Sequence, residues 1–132
     1  MVISTGVMHC FLERLFWPCF VYSKPLSTIA PKKVHTGFVY TMCVTKDAME
    51  QNQYPKALTH MEDYAAFVFS QAPRVQYVNS TYQFRDYSKY VMEYYTEEEH
   101  RKYRKEHFPI DCENARALGK ALVKDVKAEL AK

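Results

Sequence analysis

Glycine is scarce in this chain. Gly6, Gly37 and Gly119 are the only three in 132 residues. They stand far apart, so neither a GxGxxG dinucleotide fingerprint nor a Walker loop can be built, and the chain carries no glycine-rich phosphate cradle. No apolar run reaches the roughly 18 residues of a membrane-spanning helix. Charge of one sign is also lacking. Eighteen basic and fifteen acidic residues leave a net +3, which gives no nucleic-acid footprint. Four cysteines, at 10, 19, 43 and 112, show no zinc or iron–sulfur spacing. They read as four reduced thiols. The apolar start MVISTGVMHCFLERLFWPCFVY is interrupted by Glu13 and Arg14, is not led by basic residues and is not followed by a small-residue cleavage site. It is not a signal peptide, and the expected address is cytoplasmic.

What is present suits one globular domain: 48% hydrophobic residues, 25% charged and 15% aromatic. Met8, Phe11, Leu12 and Leu15 recur on one face and predict a helix over 5–17, capped by Ser4 or Thr5 and ended by Pro18. Residues 18–31, with three prolines, read as a connector. Residues 33–44, KVHTGFVYTMCV, are the least polar run and predict a strand buried on both faces, as in a parallel sheet. Thr45 opens a polar turn. Pro55 suits the first turn of a helix over 55–71, with Leu58, Met61, Ala65 and Val68 on one face. Residues 74–84 predict a second strand, with Val75, Tyr77 and Asn79 on one side. Glu97 with Arg101, and Glu98 with Lys102, sit four apart and favour an exposed helix. Pro109 is expected to stop it, and Asp111 to cap a last helix over 112–130. Alternating helices and strands imply parallel pairing through crossovers. Two strands are few for such a sheet.

Several segments, in order, resemble one family. Thr5-Gly6-Val7-Met8-His9-Cys10-Phe11-Leu12-Glu13-Arg14 resembles the TGxMxxFLxR helix start of flavodoxin-like NAD(P)H-dependent FMN reductases. Phe38-Val39-Tyr40-Thr41-Met42 resembles their fourth strand and the loop after it. Ser80-Thr81-Tyr82-Gln83-Phe84 and Asp86-Tyr87-Ser88-Lys89-Tyr90 resemble the fifth strand and a tyrosine-rich extension of a bacterial subgroup. Phe108-Pro109-Ile110-Asp111 and Ala117-Leu118-Gly119 resemble the entry to the last helix. The resemblance implies a three-layer α/β fold with a parallel sheet, here cut to helix-strand-helix-strand-helix. Residues 1–132 then read as a single partial domain, the C-terminal half. The family's first three strands, its Ser/Thr-rich FMN phosphate loop and its SPxY loop have no counterpart, so the chain reads as truncated.

The resemblance further implies FMN as cofactor, NAD(P)H as electron donor and flavin-mediated oxidoreduction. With the phosphate loop missing, FMN is expected to bind weakly to this chain alone. Ser4, Thr5 and Gly6 are candidates for the flavin edge, with a plain helix cap as the other reading. Thr41, Met42 and Cys43 follow the fourth strand, where open α/β sheets bind ligands. Their backbone N–H groups are candidates for the flavin ring, an ordinary strand exit being the alternative. Catalytic residues, metal ligands and a nucleophilic role for Cys43 are not expected. The five histidines read as surface or packing residues, the tyrosines of 82–95 as packing, and Glu97–His107 as a solvated helix face. The alternative function is a non-catalytic half-domain that self-associates or binds a partner. A homo-oligomer is expected, through the 33–44 strand edge or the 5–17 helix.

Overall fold

The computed structural model describes residues 5–131. In chain order the elements are α1 (Gly6–Phe16), β1 (Phe20–Val21), β2 (Ser27–Thr28), β3 (Gly37–Thr41), α2 (Lys46–Gln51), α3 (Tyr54–Phe69), β4 (Arg74–Val78) and α4 (Glu97–Leu130). Single 3-10 turns occupy Trp17–Cys19 and Tyr87–Lys89. The result is a mixed α/β topology of short strands and helices.

β3 and β4 pair in parallel, from Gly37 opposite Arg74 to Thr41 opposite Val78. Two further bonds extend the ladder: the Arg74 N–H donates to the Thr36 carbonyl and the Met42 N–H to the Val78 carbonyl, both at 2.9 Å. Parallel strands need a crossover, and α2 and α3 supply it.

Strand alternation sends successive side chains to opposite faces. On one face Phe38 stacks on Tyr40 at 5.8 Å, and Tyr40 on Tyr77 at 5.5 Å. Phe38 there packs against Leu12 and Phe16 of α1 and Ala65 and Val68 of α3. Each of the larger of these side chains contributes roughly 1.5–3 kcal/mol when fully buried. The other face takes α4. A Cβ at Gly37 would lie 2.7 Å from Leu118 Cδ2, the far end of a flexible side chain, so α4 packs closely on this end of β3. Gln76 Nε2 donates to the Asp111 carbonyl at 3.0 Å. Arg74 Nε and Nη2 both donate to Asp125 Oδ2, at 2.9 and 2.7 Å, and His35 Nε2 meets Glu129 Oε2 at 2.9 Å. These contacts tie the rear of α4 to the amino ends of the strands.

Several boundaries depart from the sequence expectations. The strand within 33–44 is only five residues long, and it is not buried on both faces: Gly37, Val39 and Thr41 are exposed, Val39 to 48%. α4 reaches Gly37 but leaves Val39 open. The strand expected over 74–84 stops at Val78, because Ser80 takes φ 51° and turns the chain. The connector at 18–31 folds into a two-residue antiparallel ribbon, β1 with β2. The polar turn at Thr45 holds a short helix, α2, capped by the Thr45 hydroxyl accepting from the Ala48 N–H. A six-residue helix shows too little periodicity to be read in a sequence.

The largest correction is α4. Pro109 does not stop a helix and Asp111 does not cap one; both lie inside a single 34-residue helix. Pro109 lacks the N–H that would bond the Lys105 carbonyl. That stretch is exposed, so water can satisfy the carbonyl. Contacts on both sides of the proline hold the helix together. Its start is fixed by a capping box. The Glu99 N–H donates to Thr96 Oγ1 at 3.2 Å, and the Thr96 N–H to Glu99 Oε2 at 2.8 Å.

Candidate functional site

The carboxyl ends of β3 and β4 are knitted together. The Ser80 N–H donates to the Val44 carbonyl at 2.9 Å and the Thr81 N–H to the Met42 carbonyl at 3.1 Å. Asn79, Ser80 and Val78 are buried. Asn79 Nδ2 meets Met49 Sδ of α2 at 3.5 Å. A positive φ at Ser80 is uncommon for a residue other than glycine, and it brings the Ser80 carbonyl to 3.0 Å from His100 Nδ1.

The tyrosine-rich segment then wraps the first turns of α4. Tyr82 packs on Tyr87 at 4.9 Å and Phe84 stacks on Tyr90 at 3.9 Å. The Tyr82 hydroxyl donates to Glu97 Oε1 at 2.6 Å, and Arg101 Nη2 donates to the same oxygen at 2.6 Å. These two bonds hold the Glu97 carboxyl below its usual range. The bond to Glu97 raises the Tyr82 phenol. The Glu97–Arg101 pair expected from the sequence is therefore formed. Packing is the use of Tyr82, Tyr87 and Tyr95, while Tyr94 is 91% exposed.

Two hollows open at this end and share Ser80 and Tyr103. The first, about 190 Å³, runs along Val78–Tyr82 beneath Tyr103, Arg104, Phe108 and Asp111. The Arg104 guanidinium lies over the rings of Tyr82 and Phe108, 5.6 and 5.8 Å from their centroids. Burial pushes the Asp111 carboxyl up, and the nearby His107 partly offsets this. Burial, then the Asp111 charge, raises the Tyr103 phenol. The second hollow, about 340 Å³, is walled by Thr45, Tyr94, Tyr95, Glu99 and His100 together with the shared pair.

Of the residues singled out in the sequence, Ser4 lies outside the described residues. Thr5 caps α1, its hydroxyl accepting from the Met8 N–H at 3.4 Å. Gly6 opens α1 with free space where a Cβ would stand. Thr41 ends β3; Met42 and Cys43 follow it, half-buried. The Met42 N–H already serves the ladder, so it is not a free donor. Among the described residues no hydrogen bond joins Thr5 or Gly6 to Thr41, Met42 or Cys43. The two groups are linked through the cluster in which Phe38 meets Leu12 and Phe16. Gly6 thus has open space beside it, and Cys43 is half-buried at the strand exit. All four cysteines are free thiols, and no group of three His, Cys, Asp or Glu among the described residues is placed to hold a metal.

His100, one of the histidines expected at the surface or in packing, packs between Tyr95 and Tyr87. It is 2% exposed. His100, Tyr103, Arg104, His107, Phe108 and Asp111 recur at helical spacing, and all but Asp111 precede Pro109. No family model matches this chain, nor does any curated protein or solved structure.

Proposed function

We propose that the chain forms the β3–β4 portion of a flavodoxin-like sheet and contributes one edge of an FMN site to an NAD(P)H-dependent oxidoreductase. The observation that carries this reading is the parallel β3–β4 pair, covered by α3 on one face and α4 on the other, with its hollows at the carboxyl ends. Ligands bind at that end of open α/β sheets. FMN, when bound, supplies the hydride chemistry. The role of this chain is placement: Thr41–Cys43 at the strand exit and Gly6 at the start of α1 flank the ring. The phosphate grip comes from strands outside this unit.

The test is a fluorescence titration of FMN. The chain alone is expected to leave micromolar FMN unquenched. Mixed with a polypeptide supplying the first three strands and phosphate loop of a flavodoxin-like reductase, it is expected to quench FMN stoichiometrically and to restore NAD(P)H oxidation. A mixture that binds no FMN overturns the proposal. A second reading, a self-associating module without catalysis, draws on the β3 edge. Among the described residues β3 pairs only with β4, and its sequence, GFVYT, carries no charge or proline to repel another strand.

A further inference from the structure

The hollow of about 340 Å³ beside the first turns of α4 has three tyrosines and one carboxylate in its wall: Tyr94, Tyr95, Tyr103 and Glu99. Among the described residues no lysine or arginine lines it. Glu99 is exposed. Its Oε2 accepts twice from Thr96, from the N–H at 2.8 Å and from the hydroxyl at 2.9 Å. Its Oε1 has no hydrogen-bond or ion-pair partner among the described residues. The bonds from Thr96 hold the carboxyl below its usual range, so it is ionised at neutral pH. The wall therefore carries a negative charge with one oxygen free.

Two of the rings are held in place. Tyr95 stands edge-on to His100 at 5.3 Å, and Tyr103 stacks on His107 at 4.2 Å. Tyr94 is 91% exposed and has no ring partner among the described residues, so it can close over a guest. The face of a phenol ring is negative and attracts a cation. A methylated ammonium suits such a wall better than a bare ammonium, because it is weakly hydrated and brings apolar methyl groups. An anion would meet the Glu99 charge. A metal ion needs more oxygens than one carboxylate supplies, and no group of three His, Cys, Asp or Glu among the described residues is placed to hold one. The volume falls in the range of small-molecule sites.

From this arrangement we infer that the hollow binds a small organic cation of the methylated-ammonium class, its charge set against Glu99 Oε1 and its methyl groups against Tyr94, Tyr95 and Tyr103. The site is separate from the proposed FMN edge and does not rest on that reading.

The probes are choline and its uncharged isostere dimethylbutanol, in which a carbon replaces the charged nitrogen. Each is titrated into the full chain at constant ionic strength while the tyrosine ring resonances and the probe's methyl protons are followed by NMR. Choline is expected to saturate in the millimolar range, with its methyl protons moved upfield by the rings. The isostere is expected to bind about fivefold more weakly, the worth of one cation–ring contact at an exposed site. Glu99→Gln keeps the capping box, since glutamine also serves there. It should weaken choline and leave the isostere unchanged. Tyr94→Leu, at an exposed position, should leave the fold intact and weaken choline as well. Phosphatidylcholine vesicles present the same group on a lipid and are expected to leave the chain in solution. Flotation with them that free choline competes away would support the site and name a lipid as its source. Equal affinity for choline and the isostere overturns the proposal. So does choline binding that either variant leaves unchanged, or an absence of saturable choline binding.

Discussion

Glu62 of α3 faces the aromatic side of the sheet, near Tyr40 and Tyr77. Its carboxyl is raised by burial; Tyr40 eases the charge and Asp63 adds to the rise. Burial, followed by Glu62, raises the Tyr40 phenol. The Tyr40 hydroxyl and Glu62 Oε1 are both buried, and neither closes a hydrogen bond of good geometry. A raised folded-state pKa means that the native chain holds the Glu62 proton more tightly than the unfolded chain does. The stability from this site is full below the unfolded carboxylate pKa and is lost as pH rises through the folded value. Glu62→Gln is therefore expected to raise the melting temperature at pH 8 and to leave it nearly unchanged at pH 4. Thermal melts of both proteins at the two pH values check this; a variant less stable at pH 8 would show that the carboxylate is wanted there.

At the scale of elements, α4 invites two substitutions with opposite signs. Pro109→Ala restores the missing N–H bond to the Lys105 carbonyl and is expected to stabilise by up to about 3 kcal/mol. Thr96→Ala removes the capping box and should cost about 1 kcal/mol. Urea unfolding of each variant measures both, and a destabilised Pro109→Ala would mean that the proline shapes the helix to fit the sheet. Pro109 also shows where sequence reading reached its limit. α1 and α3 were legible because their apolar residues recur at helical spacing and Thr5 and Pro55 mark their starts, and the parallel β3–β4 pair was legible from the apolar run at 33–44 and the alternation of helices with strands. Local chemistry says that proline ends a helix. Contacts distant in sequence, from Gln76 to Asp111 and from Gly37 to Leu118, keep it going. The strand after Val78 failed for a similar reason, since the turn at Ser80 is held by Val44 and His100. Of the candidate site, the strand exit at Thr41–Cys43 was visible, and His100, Tyr103 and Arg104 fall on one face of the helix expected before Pro109; the burial of His100 depends on the turn at Ser80, which local sequence does not mark.

The molecule as a whole leaves much apolar surface in water. Phe11, Trp17, Tyr22 and Ile29 are all more than half exposed, and among the described residues β3 has one free edge. An antiparallel copy of β3 centred on Val39 would set Phe38 beside the partner's Tyr40 and cover Val39 with its own equivalent, in a self-complementary register. Sedimentation at several concentrations is expected to show self-association, and Val39→Lys, which places a charge on that edge, should shift the population toward monomer. A wild-type chain that stays monomeric throughout would show that the free edge is tolerated. The late position of α4 has a consequence during synthesis. β3, β4 and their crossover are complete before Glu97 is added, yet the face bearing Gly37 waits for a helix of 34 residues. At about 5–20 residues per second, the ribosome takes roughly 2–7 s to make it. For that interval the nascent sheet has a roof and no floor, which makes it a natural client for a chaperone stationed at the tunnel exit.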